Sequence, residues 1–307
     1  MARIDHAAQT EAELLLKCLP TGPVDEFQVQ EFPQLSNAVR AWIKYEREPD
    51  YRLPGIHPSG LGNFCLREQV YKVIAIKAGD KVPSVRPSPE TQMIFEAGHA
   101  THLWWQSRIL GPMGILYGRW ECFSCSAVHG TNDDIIKMPK KCDSCGAPQD
   151  DIWFKEERIQ IPAHVVLNCE EEDLTEQEHA HYRVVGHCDG EIRLVNGKRY
   201  IAELKSQNKW NHPKRTEPNR AHMIQGLVYA HAKGVDGVMV IYVNKDTYAP
   251  KSYIVTGSDH VVDWLYSQIR LIKKNVDRET PHKVERVCSS KSCNRAKKCP
   301  FRHICFA

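Results

Sequence analysis

Two periodicities divide the chain. Residues 184–194 (Val-Val-Gly-His-Cys-Asp-Gly-Glu-Ile-Arg-Leu) and 199–205 (Arg-Tyr-Ile-Ala-Glu-Leu-Lys) read as strands, with Asn196-Gly197 marking the turn between them. Residues 238–243 read as a further core strand. Helical spacing governs 220–233, where Met223, Ile224, Leu227 and Val228 form an apolar stripe, Gln225 and Tyr229 share a face, and Gly234 supplies a stop. Residues 95–105 and 259–275 are also helix-like, as are His6 to Cys18 and Leu35 to Arg47. Pro-rich connections fall at 20–33 and 83–89, and no internal repeat or low-complexity tract is present.

Strand alternation has a chemical consequence. In an extended 199–205, Ile201, Glu203 and Lys205 share one face, and Tyr200, Ala202 and Leu204 the other. A two-residue turn sets Asp189 opposite Leu204. A three-residue loop, Val195 to Gly197 with Gly197 left-handed, sets Asp189 opposite Glu203. We take the second register because it lets two carboxylates share one cation. Carboxylates are hard oxygen ligands for Mg²⁺ or Mn²⁺. Lys205 can hold a developing negative charge or position a water. The set suits a metal-dependent phosphodiesterase; the same residues also fit an ordinary hairpin with solvated charges.

The chain has 12 cysteines in 307 residues. Cys122-x2-Cys125 is followed after 16 residues by Cys142-x2-Cys145. Two such hooks predict a zinc ribbon, since four thiolates complete a tetrahedral structural site. The alternatives are two disulfides or four unrelated thiols. With no signal peptide and no long apolar run, the chain is expected to be soluble, intracellular and free of membrane contact, where stable disulfides are rare.

Charge adds little as a total, 41 − 38 = +3, and more as a distribution. Residues 205–220 carry Lys205, Lys209, Lys214, Arg215 and Arg220 against Glu217. A basic stretch beside carboxylates suits a phosphate backbone, and Trp210 within it could stack on an unpaired base or simply pack. Residues 281–307 hold seven Lys or Arg and one acid. The six acids of 170–178 are expected in an exposed loop or helix end away from DNA.

Taken in order, Gly98-x3-His102, Gly186-x2-Asp189, Glu203-x-Lys205 and Gln225-x3-Tyr229 resemble the PD-(D/E)XK nuclease superfamily. The nearest branch is the RecB-like group that includes CRISPR-adaptation nucleases and phage recombination exonucleases. The resemblance covers about 95–235. It implies an α/β fold with a restriction-endonuclease-like core, a mixed central sheet flanked by helices. It also implies that His102, Asp189, Glu203 and the Leu204 carbonyl hold the catalytic Mg²⁺ or Mn²⁺. Lys205 would be the catalytic lysine, with Gln225 and Tyr229 supporting the site or the DNA.

The same branch often holds a [4Fe–4S] cluster. Ser59-x5-Cys65-x-Arg67-x3-Tyr71 looks like its upstream element, and Cys299-Pro300-Phe301-Arg302-His303-Ile304-Cys305 like its last two ligands. The tight cysteine pair usual before them is missing here. Cys293 is the expected remaining ligand because it lies nearer the terminal pair, with Cys288 as its substitute. Thiolates suit zinc as well, so a second zinc stands as the alternative. Cys18, Cys169 and Cys188 read as ordinary thiols.

The expected organisation is a helical segment over 1–55, a nuclease core over 56–118 and 151–280, a zinc-ribbon insertion at 119–150, and a cysteine cluster at 281–307 closing on Cys65. The expected activity is that of a metal-dependent DNA exonuclease in recombination, repair or replication, with a recombination or replication protein as partner and a phage origin plausible. A structure-selective endonuclease and a non-catalytic zinc or iron–sulfur DNA-binding module are the alternatives.

Overall fold

The computed structural model describes residues 54–80, 82 and 88–307. The helix-like segments His6 to Cys18 and Leu35 to Arg47 lie outside them. One compact unit comprises Leu53–Val85 and Gly98–Ala307; a second comprises Met1–Arg52 and Arg86–Ala97. Of the second unit the described part is residues 88–97, the opening of a helix.

The described helices are α1 (Leu66–Lys77), α2 (Pro89–Trp105), α3 (Ala163–Leu167), α4 (Glu176–Tyr182), α5 (Arg220–Lys233), α6 (Ser258–Asp277), α7 (Asn294–Lys298) and α8 (Arg302–Cys305). The strands are β1 (Leu116–Cys122), β2 (Val128–His129), β3 (Ile136–Lys137), β4 (Ile152–Lys155), β5 (Glu157–Ile161), β6 (Val184–Cys188), β7 (Glu191–Arg193), β8 (Arg199–Gln207), β9 (Gly237–Asn244) and β10 (Pro250–Val255). A mainly antiparallel sheet runs β10-β9-β8-β7-β1-β2, with β3 and β4 also on β1; β8 and β9 are parallel. β5 and β6 pair separately.

Sequence explains where α5 begins and ends. The Asn219 side chain accepts from the Ala221 N–H at its start, and Gly234 closes it at φ +60°. Its inner face buries Leu227, Tyr229 and Ala230 with Ile201, Val238, Val240 and Tyr242. Gly226 permits this approach, because a Cβ there would lie 2.3 Å from Val238. The other sheet face packs Ala202, Leu204, Ile241 and Val243 with Trp105, Leu116 and Trp120. Ile201 and Leu204 thus point to opposite sides, as strand alternation requires. Helix α6 buries Val262, Leu265, Ile269 and Ile272 with Val70 and Val73 of α1. Each such side chain contributes roughly 1.5–3 kcal/mol relative to exposure.

Two expectations need revision, those for 184–194 and for Glu178. The stretch 184–194 is two strands, broken at Asp189-Gly190, where Gly190 takes φ +108°. β6 leaves to pair with β5 while β7 stays on β8. The ribbon is rooted in the main sheet: β1 pairs with β7 at Leu116 and Tyr117, and with β4 from Arg119 to Cys122. Among the acids of 170–178, Glu178 is buried rather than solvated; it completes a capping box with Thr175 and pairs with Lys273 at 2.7 Å. Among the described residues no helix is long and apolar enough to cross a membrane.

Candidate functional site

The hairpin from β7 to β8 sets the central geometry. Its ladder pairs Glu191 with Ile201, Ile192 with Tyr200 and Arg193 with Arg199. The loop is Val195 to Gly197, closed by the Leu194 N–H on the Lys198 carbonyl, with Gly197 at φ +82°. Continued past Gly190, this register brings Asp189 level with Glu203. The Leu204 N–H donates to Asp189 Oδ2 at 2.8 Å. A strand residue directs its N–H and C=O to the same neighbour, so the Leu204 carbonyl also faces that side.

Helix α2 brings His102 to the same place, with Nδ1 3.8 Å from Asp189 Oδ1. One turn later Gln106 donates to the Asp189 carbonyl at 3.0 Å. Gln106 was not singled out in the sequence, although its i+4 spacing from His102 carries the signal. Burial lowers the His102 pKa; Asp189 opposes the fall, while Lys205, His99 and Lys245 add to it. The imidazole is therefore neutral near pH 7 and available as a ligand.

Glu203 is 1 % exposed. Lys205 Nζ lies 2.5 Å from its Oε1. That approach is an ion pair without hydrogen-bond geometry, because Oε1 is buried with no hydrogen-bond partner. Burial pushes the Glu203 pKa up to about 7; Lys205 opposes the rise and Asp189 adds to it. Burial pulls Lys205 down, but Glu203 and Asp189 outweigh it and hold Lys205 above its ordinary value. Both partners' pKa values rise, and the two directions are compatible. Glu203 loses more solvation than one lysine restores, and two carboxylates face one ammonium. The site is short of positive charge, and a divalent cation fits that deficit. His102, Asp189 and Glu203 do not all approach within 4.8 Å of one another, so they form an open set rather than a closed cage.

Gln225 and Tyr229 brace this region from α5. The Tyr229 hydroxyl lies beside the Gln225 side chain, and both residues are buried. A Cβ at Gly186 would lie 2.3 Å from that hydroxyl, so glycine is needed there. Gly98 is not forced in the same way: its Cβ would meet Ser206 Oγ at 3.5 Å, an ordinary contact. Behind Lys205, the Tyr242 hydroxyl accepts from the Asn219 N–H at 2.8 Å and bonds His222 Nδ1 at 2.9 Å. Burial brings the His222 pKa down to about 4, helped by Lys205 and Arg215. Neither His222 nor Tyr242 stood out in the sequence.

Of the expected DNA contacts, Lys209, Lys214 and Arg220 are exposed, and Trp210 is 68 % exposed with Lys209 Nζ 5.0 Å from its ring. Arg215 is different. Its guanidinium lies 4.2 Å over Tyr242 and donates to Gln207 and to the Glu217 carbonyl.

The four ribbon cysteines form one group able to hold a metal ion. Cys122 and Cys145 Sγ atoms are 3.7 Å apart, and those of Cys125 and Cys142 3.6 Å. Metal–sulfur bonds of about 2.3 Å give a tetrahedral edge of about 3.8 Å, so the thiols already stand at ligand spacing. The two hooks have the same build. In each, the residue after the second cysteine, Ser126 or Gly146, is left-handed and its N–H bonds the first cysteine's carbonyl. Burial would raise the Cys142 thiol, but the Cys145 and Ser144 N–H groups and His129 bring it down to about 6.

At the other end of the chain, Cys65, Cys288, Cys299 and Cys305 line one cavity. The expected Cys293 does not line it. Its Sγ caps α7 by accepting from the Ala296 N–H at 3.3 Å. Cys288 takes the place nearer the cavity and is hydrogen-bonded to Cys293. Three contacts clasp the C-terminal segment to α1: Arg67 donates to the Val284 and His282 carbonyls, Arg295 pairs with Glu68, and Tyr71 stacks on Phe301. Of the cysteines read as ordinary thiols, Cys188 is buried against Glu157, Cys169 packs at the core edge, and Cys18 lies outside the described residues.

No family model matches the chain, and no curated protein matches it. Among solved structures, the crystal structure of SSO0001 is similar at a TM-score of 0.40 and 14% identity, over 91% of this chain and 98% of that one. A likeness of that degree carries no argument about activity.

Proposed function

We propose that this chain is a metal-dependent deoxyribonuclease of the RecB-like PD-(D/E)XK type, acting as an exonuclease on DNA ends or single strands. The observation that supports this reading most is the buried Glu203 carboxylate, set beside Asp189 with Lys205 as their one shared counter-charge. Asp189, Glu203, the Leu204 carbonyl and His102 would hold Mg²⁺ or Mn²⁺. When bound, the ion supplies polarisation of the scissile phosphate and a lowered pKa for an attacking water. Lys205 donates to a non-bridging phosphate oxygen and offsets the charge that grows there. The Leu204 N–H and Gln106 fix Asp189 in position, and the Gln225–Tyr229 pair holds β6 against α5. Trp210 offers an exposed face to an unpaired base, with Lys209, Lys214 and Arg220 for the backbone. Arg215 is assigned to structure instead.

The ribbon site suits a structural Zn²⁺, since four thiolates leave no open position. The C-terminal set suits a [4Fe–4S] cluster held by Cys65, Cys288, Cys299 and Cys305. These thiols line a shared cavity but do not gather within 4.8 Å as the ribbon thiols do, which favours a ligand larger than one ion. A second zinc would require them to close in.

Digestion of end-labelled linear and closed circular DNA, with Mg²⁺ or Mn²⁺ and a chelator control, tests the reading. An exonuclease degrades the linear form only and stops in chelator. Nicking of circles would make it an endonuclease; no cleavage of any substrate would leave a binding module and refute the enzyme.

A further inference from the structure

We propose that His164, Glu171 and His179 form a further metal site, taking a zinc-class divalent ion on two imidazoles and one carboxylate. The site is separate from the carboxylate site and from both cysteine sets. Its ligand atoms all lie within 4.8 Å of one another. Tetrahedral bonds of about 2.1 Å set ligand atoms about 3.4 Å apart, within reach of side-chain torsions from this arrangement.

Three short consecutive elements deliver the ligands. His164 is on α3, which stops where Asn168 turns left-handed at φ +57°. Glu171 opens a single 3₁₀ turn, Glu171–Asp173. His179 is on α4, fixed in place by the Thr175–Glu178 capping box. The frame around them is anchored to α6 by Arg270 on the Val166 carbonyl and by Lys273 on Glu178.

Hydrogen bonding orients one imidazole and leaves a nitrogen of the other without a partner. His179 Nε2 lies 3.1 Å from the Glu171 carbonyl. A carbonyl only accepts, so Nε2 carries the proton and Nδ1 keeps its lone pair. Donation from the far ring nitrogen to a backbone carbonyl is the usual way a ligating histidine is oriented. His164 Nδ1 is buried with no hydrogen-bond partner, a cost that a further contact would relieve. Six acids in 170–178 add a negative field that draws a cation. The donor set decides its class: imidazole with carboxylate suits zinc, whereas Mg²⁺ and Ca²⁺ take oxygen. Three protein ligands leave the fourth position to water. Bound there, the ion ties α3 to α4 across the acidic turn.

The test uses the full chain with its cysteine sites loaded. Zn²⁺ is added in small excess, free metal is removed, and bound zinc is measured for the parent, Glu171→Gln, His179→Ala and Glu203→Ala. The parent should gain two equivalents above the cysteine-bound metal, one here and one at the carboxylate site; Glu203→Ala should keep the first, and Glu171→Gln and His179→Ala should lose it and keep the second. Co²⁺ added to Glu203→Ala should give d–d bands without the thiolate charge transfer of a cysteine site. Glu171 is exposed, so Glu171→Gln keeps the fold and the comparison stays readable if His179→Ala does not. The affinity of Glu171→Gln should fall more than about tenfold, the loss that even an outer-shell change can bring. No extra zinc in the parent, extra zinc lost only in Glu203→Ala, or equal binding in Glu171→Gln would overturn the site.

Discussion

The hairpin from β7 to β8 carries a buried carboxylate near each end, and the two are treated in opposite ways. Glu191, toward the turn, is fully buried and meets two arginines: Arg193 at 2.6 Å, and Arg199 through both oxygens at 2.8 and 2.9 Å. Burial would raise its pKa, but Arg199 and Arg193 hold it below the ordinary carboxylate value. Glu203, at the open end, is as deeply buried, yet it has one lysine, on Oε1, and its pKa rises to about 7. Burial alone does not separate a structural acid from a functional one. Whether the surrounding groups finish neutralising it does.

Four experiments can break or sharpen this contrast. Glu203→Gln has the largest expected effect: cleavage falls by at least about 10²–10³-fold, the range for losing one strong transition-state contact. Its melting temperature should stay near the parent's, because Asp189 remains as a counter-charge for Lys205. A calorimetric scan alongside the nuclease assay checks both. Loss of folding with loss of activity would make Glu203 structural like Glu191.

In the second experiment the colours of the two purified cysteine variants should differ. Cys288→Ser should lose most of its iron and the brown absorption, whereas Cys293→Ser keeps them, because only Cys288 lines the cavity with Cys65, Cys299 and Cys305. Iron analysis of anaerobically prepared protein decides it, and the reverse pattern would return the ligand to Cys293.

Glu191→Gln should do the opposite of Glu203→Gln. We expect about 1–3 kcal/mol of lost stability, discounted because both arginines are partly exposed, and unchanged cleavage per folded molecule. The pH dependence has a definite sign. A carboxylate whose folded pKa is depressed contributes stability above its unfolded value of about 4.3. That contribution fades as pH falls through the lower folded pKa. Parent and Glu191→Gln melting temperatures should therefore differ at neutral pH and converge in acid. A constant gap would remove the ion pair as its cause.

The smallest expected effect is that of Trp210→Ala. Single-strand binding should weaken by about 1 kcal/mol, the low end for a base stacked on an exposed ring, with little change on duplex. Equal loss on both substrates, read by fluorescence anisotropy, would make Trp210 a packing residue.

How much of this was legible depended on the range of the interaction involved. The ribbon hooks and the α5 stop at Gly234 are set by neighbours a few residues apart, so spacing and turn chemistry expose them, whereas the three-residue loop at 195–197 was chosen over a two-residue turn on the chemistry of Asp189 and Glu203. The alternation that places Glu203 and Lys205 together is local too. The break at Asp189-Gly190 was missed because it serves a tertiary purpose: β6 must leave for β5, which sequence alternation does not encode. Cys293 was preferred to Cys288 on sequence proximity, which shows neither the cavity that Cys288 lines nor the local cap on Ala296. Gln106, His222 and Tyr242 reach the site from distant elements, and only Gln106 leaves a trace, at helical spacing from His102. The charge of Arg215 is visible in sequence, and its stacking on Tyr242 is not.

The contrast between the two glutamates is tested most directly by cleavage of end-labelled DNA across a Mg²⁺ titration, comparing parent, Glu191→Gln and Glu203→Gln at equal folded concentration. The account predicts that Glu191→Gln follows the parent curve and that Glu203→Gln cleaves at no Mg²⁺ concentration. Parent-like cleavage by Glu203→Gln, or cleavage by the parent that persists in chelator, would contradict it.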